Sequence, residues 1–328
     1  MGSRAFNEAL LLWYFKSKGW LNMTENRQLI EEIQRLKEQQ DAVIVAHTYQ
    51  NGEVQAIADM VGDSFALSKY CANLSCSTIV FCGVGFMAES AKVLSPDKRI
   101  LLPEQSAGCP MADMITAEEL REFRAQHPDA AVVTYINSSS AVKAESDVIV
   151  TSSNALKVVK NMPEKKILFC PDQNLGSYIA AQCPEKEFIL WKGYCPTHHA
   201  MQGQIAKAMK EKYPEAELLV HPECKPEVTA YADYIGSTQG IIDYARASSK
   251  KEFIIGTEMG TLYPLSQENP DKIFHLMDPE LICPNMKLTT LESIRRCLET
   301  GTYEMHVPEE VAAGARKSLT RMLELASK

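Results

Sequence analysis

Cys109, Cys195 and Cys283 each stand before a proline, in GCPM, YCPT and ICPN, at separations of 86 (109 to 195) and 88 (195 to 283) residues. Cys-Pro occurs five times in the chain, so the dipeptide alone carries no meaning, and a single such thiol reads as a small buried hydrophobe. Three thiols recurring in register point instead to a soft metal centre. His198, three residues after Cys195, supplies an imidazole at Cys-x-x-His spacing, so three thiolates and His198 would close a tetrahedral zinc site. The same thiolates would also hold three irons of a 4Fe-4S cluster, which ordinarily takes four cysteines, and leave the fourth iron open as a Lewis acid. Spacing does not separate zinc from iron.

A second set of residues suits proton transfer. His47 and Tyr49, Tyr135 and Asn137, and His221 and Glu223 follow short apolar runs that read as strands. Tyr49 sits two residues beyond His47, which in a pleated strand puts both side chains on one face. Ser64, Ser152 and the Ser237-Thr238 pair open helical stretches, where a hydroxyl and free backbone N–H groups can bind a carboxylate or phosphate. Any one of these serines reads as an ordinary helix cap. Three in register make a ligand site the better reading. Cys224, inside HPECKP, reads as a spectator thiol.

The elements that must position these groups repeat along the chain. NRQLIEEIQRLKEQQ runs into AVIVAH, TAEELREFRAQHPDA into AVVTYIN, and MQGQIAKAMKEKYPEA into ELLVHPE, each an amphipathic helix leading into an apolar strand. IADMVGDS, ESDVIVTSS and YADYIGST then place an acidic residue four or five positions before a Ser. A further strand and a short helix follow, and last a strand expected to end in the Cys-Pro of each unit. Helix-strand alternation implies parallel sheets covered by helices, with ligands beyond the carboxyl ends of the strands. The expected fold is therefore α/β: three parallel-sheet units related by a pseudo-threefold axis around a central thiol-lined metal site. Cys71, Cys76 and Cys297 are expected on peripheral helices.

This division gives residues 23–114, 115–199 and 200–288 as units one, two and three, and 289–328 as a C-terminal helical segment. The helix from Met23 reads as capped, and residues 1–22, with Trp13, Tyr14 and Trp20, read as an extension. The net charge of −8 argues against a nucleic-acid or anionic-membrane surface, and no stretch approaches the ~20 apolar residues of a membrane span. ALLLWYF lacks a small-residue cleavage site, so the expected compartment is the cytoplasm, where ten cysteines mean thiols or metal ligands.

The stretches VAHTYQ, DMVGDS, GVGFMAE, SAGCPMA, TYINSS, TSSNA, CPDQNLG, GYCPTHH, HPEC, GSTQG, GTEMG and CPNMK, in this order from about Ile30 to the C-terminus, together resemble the quinolinate synthase family of NAD biosynthesis. The resemblance implies that the central site is an iron-sulfur site, with a 4Fe-4S cluster on Cys109, Cys195 and Cys283. It also implies condensation of iminoaspartate with dihydroxyacetone phosphate to quinolinate, with loss of phosphate and water, and functional coupling to the aspartate-oxidising enzyme that makes iminoaspartate. On the same ground Tyr49 is expected as proton shuttle, Glu223 as base, and His47 and His221 as donors to substrate. His198 is expected to polarise a substrate oxygen, and Ser64, Tyr135, Ile136, Asn137, Ser152, Pro222, Ser237 and Thr238 to complete the substrate-binding set.

Overall fold

A computed structural model describes residues 26–327, and the extension at residues 1–22 lies outside them. The described residues carry three parallel four-stranded sheets of identical strand order. In unit one, β1 (Ala42–His47) and β3 (Thr78–Cys82) are central, with β2 (Met60–Gly62) and β4 (Arg99–Leu101) at the edges. Unit two repeats this with β5 (Ala131–Tyr135), β6 (Val148–Val150), β7 (Lys166–Cys170) and β8 (Glu187–Leu190). Unit three uses β9 (Glu217–Val220), β10 (Tyr234–Ile235), β11 (Glu252–Gly256) and β12 (Ile273–Leu276). The central strands are continuous apolar runs because helices cover both faces of each sheet.

The acidic residue noticed in each repeat has a structural task. Asp59, Asp147 and Asp233 stand just before β2, β6 and β10, and each carboxylate accepts a first-strand N–H, from Ile44, Val132 and Leu218, at 2.8 Å. Each also pairs with a cation on the helix before that strand: Lys37 at 2.7 Å, Arg124 at 2.9 Å and Lys210 at 2.7 Å. One side chain thus ties helix, central strand and edge strand together in every unit.

The ladders align the units residue by residue. Ala46 pairs with Cys82, Thr134 with Cys170 and Val220 with Gly256. The next residues are therefore counterparts: His47, Tyr135 and His221, then Thr48, Ile136 and Pro222, then Tyr49, Asn137 and Glu223. Along the edge strands, His47 pairs with Gly62, Tyr135 with Val150 and Val220 with Ile235. This makes Ser64, Ser152 and Thr238 the equivalent set. Thr238, not Ser237, completes the series, so the spacing from Asp59, Asp147 and Asp233 is five residues in every unit.

Several expectations need correction. The fourth strands end at Leu101, Leu190 and Leu276, and the three cysteines lie in the loops beyond, because short edge strands stop before the axis and only a loop reaches it. Tyr49 is in a turn after β1 rather than in pleat register with His47. Ser64 does not cap its helix: Asp63 does, accepting from Phe65 N and Ala66 N. Ser152 lies in the turn before the helix Ala155–Asn161, and Ser237 alone is a true cap, accepting from Gly240 N. The first described helix starts at Arg27 with no side-chain cap from Asn26, and the expected start at Met23 lies outside the described residues. Cys76 is in a loop, not a helix, and Cys71, Cys76 and Cys297 are all buried.

The C-terminal helices fasten the units. Helix Leu291–Thr300 packs Leu291, Ile294 and Leu298 with Ile33, Leu36 and Ile44 of unit one. Helix Glu309–Ser327 packs Ala315, Leu319 and Met322 into the core shared by units one and two, and Ser318 Oγ donates to the Lys143 carbonyl at 2.8 Å. No helix among the described residues is long and apolar enough to cross a membrane.

Candidate active site

The carboxyl ends of the sheets open on one cavity of about 140 Å³, whose wall includes Cys109, Cys195 and Cys283. These three cysteines are partly exposed, whereas the other seven are buried. Cys109 reaches it from the loop after β4, and Cys195 starts the short helix Pro196–His199 with a proline in its first turn. Burial pushes the Cys109 thiol up to about 12 and raises those of Cys195 and Cys283, so without a cation beside them all three hold their protons. The space suits a bulky group: Gly108 lines the cavity, and a Cβ added there would meet nothing within 4 Å. The Cys195, His198 and Glu223 ligand atoms also lie within 4.8 Å of one another, a group that could hold a single metal ion.

The strand-end residues line the same cavity: His47, Tyr49, Tyr135, Asn137, His221 and Glu223, with Ser64, Ser152 and Thr238 on its wall. Ile136, Pro222 and Ser237 are not on that wall. Ile136 is buried in the core, and Ser237 spends its hydroxyl on Gly240 N at 3.1 Å.

His47 and His221 are held alike. His47 Nδ1 accepts Tyr49 N–H at 3.1 Å and His221 Nδ1 accepts Glu223 N–H at 3.3 Å. That bond leaves the ring proton on Nε2, free to be donated. Burial lowers both imidazoles to about 3, so they are neutral donors at pH 7.

A chain of hydrogen bonds joins the units across the cavity. Thr238 Oγ1 donates to Tyr49 Oη at 2.8 Å, Tyr49 Oη meets Thr257 Oγ1 at 2.9 Å, and Thr257 Oγ1 meets His198 Nε2 at 3.0 Å. His198 Nδ1 continues it, 2.7 Å from Glu223 Oε2 and 3.2 Å from Cys195 Sγ, and Tyr135 Oη donates to Glu223 Oε1 at 2.6 Å. Burial, and then the charge of Glu223, push the Tyr49 and Tyr135 phenols well up, which keeps both protonated. Burial works to raise Glu223 as well. His221 and His198, with the hydrogen bonds from His198 and Tyr135, outweigh it and hold that carboxyl below the usual range. The Asn137 side-chain oxygen, buried and without a hydrogen-bond partner, is left to accept from a ligand.

Sequence reading missed Thr257, the link between Tyr49 and His198. The signal was positional: it follows Gly256, the counterpart of Cys82 and Cys170, so it occupies the first residue past a central strand. Also missed were Asp172 and Glu258, whose carboxylates accept the N–H groups of Cys195 at 3.3 Å and Cys283 at 3.1 Å.

A family model described as Quinolinate synthetase A protein matches residues 31–324. Among curated relatives, a protein named Quinolinate synthase from Caldicellulosiruptor saccharolyticus is 58% identical over 294 residues, covering 90% of this chain and 97% of that one. Its namesakes from Caldicellulosiruptor bescii and Alkaliphilus metalliredigens are 56% and 52% identical, each covering 90% of this chain and 98% of its own length. With the triplicated sheets and their shared cavity, this match over most of its length makes the chain a member of the Quinolinate synthetase A protein family.

Proposed function

We propose that this chain is a quinolinate synthase that condenses iminoaspartate with dihydroxyacetone phosphate, releasing phosphate and water, and holds a 4Fe-4S cluster on Cys109, Cys195 and Cys283. The observation that carries this reading is the single cavity lined both by those three thiols and by the strand-end residues of all three units. The bound cluster would supply an open iron as Lewis acid. The rest falls to side chains.

The Nε2–H groups of His47 and His221, with the hydroxyls of Ser64, Ser152 and Thr238, supply uncharged donors for the carboxylates and phosphate of two anionic substrates, inside a chain of net charge −8. Asn137 accepts from a substrate nitrogen through its unpartnered oxygen. Tyr49, kept protonated, gives a proton to a departing oxygen and recovers one through Thr257 and His198, and Glu223 accepts at the far end while Tyr135 holds its other oxygen. Pro222, Ile136 and Ser237 join the binding set through main-chain atoms, and Pro222, which has no N–H, contributes only its carbonyl. Iminoaspartate comes from an aspartate-oxidising enzyme coupled to this one. We place the reaction in the cytoplasm, where unpaired thiols stay reduced.

Anaerobic purification should give a brown protein that makes quinolinate, identified by mass, from the two substrates. A colourless protein with one zinc per chain would favour the second reading, a single ion on Cys195, His198 and Glu223, which the closeness of those ligand atoms supports.

A further inference from the structure

Lys287 closes the short turn Asn285–Lys287 that follows Cys283. Its Nζ lies 2.8 Å from Glu258 Oε1 and 3.1 Å from Oε2, and it also donates to the Tyr49 carbonyl. The Glu258 side chain has 0% exposure, and its oxygens are engaged on both sides: Oε1 accepts Cys283 N–H at 3.1 Å and Oε2 accepts Gly260 N–H at 2.7 Å. One ion pair therefore touches the backbone of a proposed cluster ligand and the backbone of the proposed proton shuttle.

Neighbouring contacts run the same way. Asn51 Nδ2 donates to the carbonyls of Lys287 at 3.2 Å and Thr289 at 3.1 Å, and Gln50 Nε2 lies 3.4 Å from Met286 Sδ. A Cβ on Gly260 would fall 2.8 Å from the Thr48 carbonyl oxygen and from Tyr49 Cα, so the turn of unit one is seated directly on the backbone of unit three. The counterparts in the other units lack this arrangement. By strand register Glu258 corresponds to Asp172 and Val84. Val84 has no acceptor in its side chain, and Asp172 divides its carboxylate between Cys195 N–H and the helix N–H groups of Asn174 and Leu175.

We propose that the Lys287–Glu258 pair is a positioning device that ties the Cys283 loop to the Tyr49 turn, so that holding one in place holds the other. Lys287 does not line the cavity; Glu258 does, but both its oxygens are spent on Lys287 and on the N–H groups of Cys283 and Gly260, so the pair acts on the reaction through these two backbone segments. The inference rests on the roles proposed above for Cys283 and Tyr49.

The test uses the paired variant Lys287→Met/Glu258→Gln, which removes both charges together and leaves neither one buried alone. In the cluster-free protein under anaerobic conditions, amide exchange in residues 48–56 and alkylation of Cys283 should both accelerate at least ~10-fold, with Cys109 and Cys195 within about twofold of the parent. After reconstitution, kcat should fall ~10- to 100-fold with KM nearly unchanged, and Tyr49→Phe should cost much less in this background than in the parent. Lys287→Arg keeps the charge opposite Glu258 and guards against a paired variant that fails to fold. It should hold Cys283 within about twofold of the parent rate while turnover stays depressed. Parent-like exchange at 48–56, or parent-like Cys283 reactivity in the paired variant, overturns the proposal. If the two rates rise together but Tyr49→Phe turns over normally in the parent, the tie stands and the role of Tyr49 falls.

Discussion

His47 ends the first strand of unit one and His221 directly follows that of unit three, and each accepts through Nδ1 the N–H two residues on. The residue carrying that N–H is a phenol in one unit, Tyr49, and a carboxylate in the other, Glu223. Unit two puts Tyr135 and Asn137 at the same two places, with the Asn137 oxygen unpartnered. The three units therefore share one scaffold, pinned by Asp59, Asp147 and Asp233, and differ in the side chains at these two register positions. A phenol, a carboxylate and a neutral amide come from one turn used three times.

The comparison assumes that three equivalent loops serve one centre, and Cys195→Ser tests that most severely. Iron and activity should both be lost almost entirely, because each thiolate would hold one corner of the proposed cluster. Full iron content in that variant would end the threefold reading of the thiols. Next, if the phenol of unit one is the acid, Tyr49→Phe should keep its iron and its affinity for dicarboxylates and still make quinolinate at least ~100-fold more slowly. Near-normal turnover at matched cluster content would move the role to Glu223 or His198. Thr257→Val asks whether phenol and carboxylate communicate, since Thr257 is the bridge between Tyr49 and His198. A slowing of roughly tenfold with unchanged iron is expected, and a parent-like rate would show that the two ends act independently.

The shared histidine turn also has a signature in stability. His47 and His221 are lowered from 6.5 to about 3, so between those values the unfolded chain binds protons that the folded chain refuses. Stability is then present above about pH 6.5 and lost as pH falls toward 3, by about 1.4 kcal/mol per pH unit for each histidine. Denaturant midpoints of the cluster-free protein from pH 7 to 5.5 should show this fall, and His47→Gln or His221→Gln should each flatten the slope, His199, also lowered by burial, keeping part of it. A profile unchanged by either substitution would mean that the two turns do not hold neutral imidazoles. The smallest effect is expected from Cys224→Ser. That thiol is buried beside Glu223 but lies off the cavity wall, so iron and turnover should stay within about twofold of the parent.

The three-unit fold was legible because helix-to-strand joins such as HPDAAVV and YPEAELL repeat, and repetition survives where secondary-structure propensity is ambiguous. The three thiols were legible for the same reason. The serine series kept two candidates in unit three because Ser237 and Thr238 both carry hydroxyls, and only the pairing of β9 with β10 selects Thr238. Thr257, Glu258 and Lys287 stayed hidden because their meaning lies in contacts 208, 25 and 238 residues away along the chain, with Tyr49, Cys283 and Tyr49 again. No local pattern encodes such contacts. Cys76 was assigned to a helix because a sequence shows that a segment is helical more readily than where the helix stops.

The seating of the Tyr49 turn on Gly260 and Lys287 also sets a schedule for maturation. At synthesis rates of ~5–20 residues per second, Lys287 leaves the ribosome roughly ten to fifty seconds after Tyr49. During that interval the Tyr49 turn has no seat, and Cys109 and Cys195 have no third thiol beside them. If the proposed cluster is held by all three thiols, it can be loaded only after Cys283 has emerged, and two thiols wait until then.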